Sequence, residues 1–287
     1  MLIARGGRVV LDRGYGTIRP DGGAPHRAGE RWRLASITKQ VVTTLLLRDH
    51  ADALDQPVAV GGTAPTLRQL LTHRSGLPDP DATAMDEAAV PAFYTRAAPD
   101  LGYCRGAPVS PPGGVFRYNN CDYLIAAARY PRSLVWFAGM AMARHGEQGI
   151  AGFVRGRREP AFALTSFGAA GGLIGTARAS WRFDRALMTA RALPPAARAL
   201  LWTPEGQGRA QAIGQRVFST TLRGCTAPTR IVQRDGEIMG TQARNYILPD
   251  TDAVVIVFTT ASDDFVIGNV WQRSGFAFDL LSAVACG

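Results

Sequence analysis

Leu2-Ile3-Ala4-Arg5-Gly6-Gly7-Arg8-Val9-Val10-Leu11 opens the chain as two short strands about a paired glycine. Two adjacent glycines supply the positive φ angles of a two-residue hairpin turn. Comparable runs return only near the other end. Ala212–Thr221, Thr229–Gln233, Gln242–Leu248 and Ala253–Thr259 read as strands, separated by turn residues such as Asp235-Gly236 and Pro249-Asp250-Thr251-Asp252. Phe265 to Ala285 then closes the chain with an amphipathic helix. The segment between is rich in alanine, arginine and leucine and reads as mostly helical. Leu34, Ile37, Val41, Val42, Leu45 and Leu46 fall near a 3.6-residue period as far as His50. Thr66-Leu67-Arg68-Gln69 fits a capping box before a short helix, which Gly76 and Pro78 end. Another helix starts near Thr176, where Ala179 at N3 provides no box. Strands at both ends of one chain imply an antiparallel sheet built from both termini with flanking helices. The expected fold is therefore α/β (α+β), with an inserted mostly helical domain. Residues 1–35 and 205–287 form the predicted sheet domain and 36–204 the helical domain, with a cleft where they meet.

Composition narrows the function. At 287 residues with 46% hydrophobic and 19% charged side chains, the chain has globular values. Its apolar runs, Ala253–Phe258 among the longest, fall far short of the roughly 20 residues of a membrane span. The net charge is +9, and 31 of the 32 basic residues are arginine; Lys39 is the sole lysine. The arginines scatter from Arg5 to Arg273 instead of clustering with aromatics, which argues against a nucleic-acid partner. A positive field would instead draw a small anionic substrate or peptide into a cleft. Cys104, Cys121, Cys225 and Cys286 contain no CxxC pair, and His26, His50, His73 and His145 show no HxxxH spacing. Neither a metal nor another cofactor is expected. The cysteines leave disulfide pairing open, although a chain of this size does not require it. The amino terminus lacks the apolar core of a signal peptide, so the chain as written is expected in the cytoplasm. A mis-assigned start would move that expectation to the periplasm or outside the cell. The oligomeric state is not legible.

Lys39 lies three residues after Ser36 in Ser36-Ile37-Thr38-Lys39, at the predicted start of the first helix. Residues i and i+3 share a helix face, so the hydroxyl and the amine can meet. A helix start also presents free N–H groups and the positive end of the dipole. Such a serine can be nucleophile and oxyanion neighbour at once, with lysine taking its proton. Pro112-Gly113-Gly114-Val115-Phe116-Arg117-Tyr118-Asn119-Asn120 supplies a second group of polar side chains. In a tight loop Tyr118 and Asn120 can point a phenol and an amide to one side, for proton transfer and for holding a carbonyl. Tyr-x-Asn also serves simply as a loop plug.

These segments together make the sequence resemble the serine β-lactamase and penicillin-binding superfamily, on the branch of class C β-lactamases, D-alanyl-D-alanine carboxypeptidases and esterases. The resemblance further rests on Leu70-Leu71-Thr72-His73-Arg74-Ser75-Gly76-Leu77-Pro78, on Gly168 to Thr176 and on Arg234-Asp235-Gly236, all in the family's order. It implies a β-lactamase/transpeptidase-like fold and hydrolysis of an amide or ester through an acyl-enzyme. By it Ser36 is the nucleophile, Lys39 the general base, Tyr118 a proton relay and Asn120 a clamp on the substrate amide. The family's third element reads Lys-Thr-Gly or His-x-Gly on an edge strand. Here Arg234 takes its first place, suited to a substrate carboxylate but not to proton exchange. Gly236 and the backbone N–H of Glu237 follow, the latter as second oxyanion donor. His73 is expected to be structural. Two departures stand out: no helix precedes the first strand, and the segment from Tyr123 to Met140 is short. The rival reading is a non-catalytic or damaged relative that binds ligand without turnover.

Overall fold

The computed structural model describes residues 1–205, 210–262 and 265–287. Seven antiparallel strands form the main sheet: β1 (Leu2–Arg5), β2 (Arg8–Asp12), β3 (Gln211–Ala212), β4 (Gln215–Thr220), β5 (Thr229–Ile238), β6 (Thr241–Leu248) and β7 (Ala253–Thr259). Their spatial order is β3-β4-β5-β6-β7-β1-β2, so the amino-terminal hairpin completes a sheet begun by the carboxy-terminal third. Gly6 and Gly7 both take positive φ, at 54° and 71°.

β7 explains the layering. Its apolar run is buried on both faces, as a central strand between two helical layers must be. Val254 and Ile256 face a core shared with helices α1 (Ile37–His50) and α4 (Ala177–Met188). Ala253, Val255 and Val257 face a second core, closed by Ala277, Phe278, Leu281 and Val284 of helix α5 (Phe276–Cys286). Helix α4 lies within the stretch assigned from sequence to the helical domain, yet it packs on β7 and β1. The short helices α2 (Leu67–Leu71) and α3 (Asn120–Arg129) pack on each other across the cleft from β5. The capping box of α2 forms as read, with Thr66 and Gln69 exchanging both bonds.

Helix α1 is not the one-sided helix that its leucine spacing suggested. It is wedged between sheet and helical layer, and every residue from Ile37 to Leu47 is buried. Its buried polar groups are therefore paired: Gln40 Nε2 donates to Gln215 Oε1 at 2.6 Å, and Thr44 to the Gln40 carbonyl at 2.9 Å. The middle of the chain is also less continuously helical than its composition implied. Residues 78–119 run as loops and isolated helical turns, because seven prolines between 78 and 112 interrupt any longer helix. The four cysteines form two disulfides, Cys104–Cys121 and Cys225–Cys286. The first joins the short helix Leu101–Cys104 to the start of α3, and the second joins the β4–β5 loop to the end of α5.

One expectation about β5 fails informatively. The pair Asp235-Gly236, a turn by its local pattern, lies inside the strand, and the chain reverses at Met239-Gly240. The glycine serves another purpose. A Cβ at Gly236 would stand 2.5 Å from the Leu34 carbonyl oxygen and 3.1 Å from the Ser36 nitrogen. Only a bare backbone lets β5 pass this close to the start of α1.

Candidate active site

The short strand Trp32–Arg33 pairs with Leu173–Gly175, and Leu34 N–H donates to the Leu173 carbonyl at 2.8 Å. The chain then turns abruptly. Ala35 sits at φ +47°, a left-handed conformation that costs on the order of 1–3 kcal/mol for a residue with a side chain. It delivers Ser36, half-buried, to the N-cap of α1. A serine at this position normally accepts from the N–H two or three residues on. Ser36 makes no such bond. Its hydroxyl instead contacts the Tyr118 hydroxyl and lies 3.1 Å from Lys39 Nζ. The Ser36 backbone N–H makes no hydrogen bond among the described residues.

Lys39 is fully buried. Besides Ser36 its Nζ reaches Asn120 Oδ1 at 2.6 Å and the Ala170 carbonyl at 2.7 Å. Nζ thus faces three oxygens, and when the amine is neutral two N–H groups can stay on Asn120 and Ala170 while its lone pair meets the Ser36 hydroxyl. Burial pushes the lysine below its ordinary value of 10.5; Tyr118 opposes that shift and Arg234 adds to it. Tyr118 behaves in the complementary way. Burial raises its phenol, but Lys39 and Arg234 outweigh that and leave it below 10.0.

Arg234 and Glu237 come from the part of β5 that outruns β4. The β4–β5 register ends at Gln233 opposite Arg216, so residues 234–238 pair only with β6 and expose a local edge to Ser36. Arg234 Nε donates to the Ser36 carbonyl at 2.8 Å, and its Nη2 to the Tyr118 hydroxyl at 3.3 Å. The guanidinium thus ties β5, α1 and the tyrosine loop together. It has no carboxylate partner among the described residues, whereas Arg216 and Arg244 both lean on Asp235, at 3.1 and 3.4 Å.

The loop before α3 is held by His73. The His73 carbonyl accepts from Arg117 N–H at 2.8 Å, and its Nδ1 from Asn119 N–H at 3.2 Å, clamping Tyr118 on both sides. Its ring packs under Tyr118, with centroids 4.5 Å apart. Burial drives His73 well below its ordinary value, and its neighbour Asp122, 3.0 Å away, well above its own. Both shifts favour the uncharged forms, and the histidine's contacts hold the tyrosine loop.

Ser36, Lys39, Tyr118, Asn120 and Arg234 thus converge, with Gly236 against the start of α1 and Glu237 lining the same cleft of about 490 Å³. Asn120 differs from its expected use, because both ends of its amide are engaged: Oδ1 by Lys39 and Nδ2 by the Tyr94 hydroxyl at 2.7 Å. Tyr94, Asp81 and Ala170 were not found from sequence. Tyr94 is buried against Phe167, ring centroids 4.0 Å apart, and donates to Asp81. A hydrogen-bonded series therefore runs Asp81–Tyr94–Asn120–Lys39–Ser36. Among the described residues no helix is long and apolar enough to cross a membrane.

A family model described as Beta-lactamase matches residues 1–270. Among curated proteins, a D-aminopeptidase of Cereibacter sphaeroides is 32% identical over 135 residues, which is 44% of this chain and 26% of that protein. Esterase EstB of Burkholderia gladioli is 36% identical over 91 residues, 26% of this chain and 23% of that one. The matches thus span only about a quarter of the curated relatives' length. Among solved structures, the D-amino acid amidase of Ochrobactrum anthropi SV3 with D-phenylalanine superposes at a TM-score of 0.73. It is 19% identical, over 99% of this chain and 91% of that one. An octameric penicillin-binding protein homologue from Pyrococcus abyssi gives 0.72 at 16% identity, over 91% and 69%.

Proposed function

The chain belongs to the beta-lactamase family, and from that premise we propose that it is a serine hydrolase that cleaves an amide or ester through an acyl-enzyme on Ser36. The observation that carries this reading is the position of one hydroxyl. Ser36 Oγ is turned away from its cap and lies 3.1 Å from the only lysine and in contact with a phenol.

Neutral Lys39 takes the Ser36 proton as Oγ attacks the substrate carbonyl. The developing oxyanion faces the unpaired Ser36 N–H and the N–H of Glu237, on the strand edge that Gly236 brings close. Once Lys39 has taken the proton, its charge and that of Arg234 lower the Tyr118 phenol, which passes a proton to the leaving group. Asn120 fixes Lys39 through its Oδ1, and Arg234 receives an anionic end where the substrate has one. Water then attacks the ester, with the same groups acting in reverse. Curated relatives named D-aminopeptidase and esterase agree with hydrolysis of either bond.

The test is steady-state turnover of a p-nitrophenyl ester, a penicillin and an amino acid amide by wild type and Ser36→Ala. Hydrolysis of at least one, lost in the variant, is expected. Binding of these compounds without turnover would support the non-catalytic reading instead.

A further inference from the structure

Two backbone N–H groups face the developing oxyanion in the hydrolase reading, those of Ser36 and Glu237. Each sits on a short arm that contains a strained residue: Ala35 at φ +47° before Ser36, and Met239 at φ +50° after Glu237. Residues with side chains hold such angles only where their surroundings over-determine them. Behind both arms runs a segment that lines no part of the cleft, residues 150–162. Its Glu159 is buried and grips the two arms at once. Oε2 accepts from Arg33 Nη1 at 3.0 Å and from the Gly240 N–H at 3.1 Å, while Oε1 accepts from Arg33 Nη2. Arg33 lies three residues before Ser36, and Gly240 three residues after Glu237. The fit around this carboxylate is tight. The buried Arg33 guanidinium also donates to the Ile150 carbonyl at 2.9 Å and lies 4.9 Å from the ring centroid of Phe162. A Cβ at Gly240 would stand 2.2 Å from the Phe153 nitrogen, and one at Gly152 would stand 2.4 Å from the Gly240 carbonyl carbon. The segment and the β5–β6 turn therefore touch backbone to backbone.

We propose that Glu159 is a positioning residue: through Arg33 and Gly240 it fixes the separation of the Ser36 and Glu237 N–H groups. This rests on the hydrolase reading above and adds the element that sets its oxyanion site. Three residues of chain span at most about 10 Å, so a shift at either gripped point reaches a donor with little chain to absorb it. Oxyanion donors act through geometry that is fixed before the reaction starts. The chemistry of the pair points the same way. A buried ion pair seldom adds net stability over apolar side chains of similar volume, so the bidentate Arg33–Glu159 pair is better explained by what it aligns. Its second contact is the distinguishing one. A carboxylate oxygen bonded to the guanidinium can also accept from the Gly240 N–H, which no apolar side chain could hold.

The test compares wild type with Glu159→Gln and with Arg33→Met/Glu159→Met, in which apolar chains replace the ion pair. Two quantities are measured on protein that circular dichroism shows to be folded. One is kcat/KM for p-nitrophenyl acetate. The other is the inhibition constant of phenylboronic acid, whose tetrahedral adduct on serine places an oxygen at the oxyanion site. Both variants are expected to lose about tenfold or more in kcat/KM, a part of the roughly 100-fold or more that a whole donor contributes. Both should bind the boronate more weakly by a similar factor, as a transition-state analogue requires. A merely structural pair would be replaced in the double variant with neither readout moving. Wild-type values in either folded variant would overturn the proposal, and so would a loss of ester turnover with boronate affinity unchanged. Failure of both variants to fold would overturn it too, by making the pair a requirement of folding. A wild type that neither turns over the ester nor binds the boronate would sink the hydrolase reading and the clamp together, whereas an active wild type with unaffected variants would sink the clamp alone.

Discussion

Replacing Lys39 by methionine removes the amine and keeps an unbranched chain of similar length in a fully buried place. The structure gives two measurable consequences of opposite kind. The catalytic one is loss of the only base within reach of Ser36 Oγ apart from Tyr118. General-base contributions run to about 10²–10⁴-fold, so acylation by a p-nitrophenyl ester should slow by at least about 100-fold, roughly 2.7 kcal/mol. The second consequence is in stability. Burial lowers the lysine in the folded protein below 10.5, so between that lowered value and 10.5 the unfolded chain binds more protons than the native one. Wild-type stability must then rise with pH across that window, by up to about 1.4 kcal/mol per pH unit, and the methionine variant lacks this contribution. Urea unfolding of both proteins at two pH values just below 10.5 should show the difference moving in favour of wild type at the higher one. Acylation by wild type should likewise rise with pH along a limb that belongs to the coupled Lys39–Tyr118 pair. Near wild-type acylation by Lys39→Met, or a stability difference independent of pH, would refute the reasoning.

Three further outcomes follow from single contacts. Tyr118→Phe keeps the ring over His73 but removes the hydroxyl shared by Ser36 and Arg234; turnover should fall about 100-fold with little change in melting temperature, measured on the same ester. Arg234→Ala should weaken carboxylate-bearing substrates by about 2–4 kcal/mol more than neutral esters in kcat/KM, and equal losses would reduce Arg234 to a tie between β5 and Ser36. Gly236→Ala places a carbon 2.5 Å from the Leu34 oxygen; urea unfolding should show a loss of about 1–3 kcal/mol, with turnover falling as β5 is pushed from Ser36.

What the sequence disclosed was what short-range chemistry decides. The Gly6-Gly7 hairpin and the Thr66 capping box depend on neighbours within a few residues, and both formed as read. Ser36 and Lys39 were legible because one helical turn separates them. Tyr118 and Asn120 were visible as a motif, but the use of the Asn120 amide was not, since its partners Tyr94 and Lys39 lie 26 and 81 residues away. Asp235-Gly236 misled for the same reason: the local pattern reads as a turn, while the glycine answers to Leu34, two hundred residues earlier. Nothing in Asp79-Pro80-Asp81 or Phe93-Tyr94 marks either segment as part of a cleft, because only the packing of Phe167 against Tyr94 brings them there. The disulfides belong with these, since the spacings alone permitted several pairings.

The most direct measurement of the central claim is the mass of the intact protein after brief exposure to a penicillin and to an activated ester, followed by proteolytic mapping of any adduct. The account predicts a single acyl group on the peptide containing Ser36, absent from Ser36→Ala protein that melts like wild type. An acyl group mapped to any other residue, or the same adduct on Ser36→Ala, would contradict it.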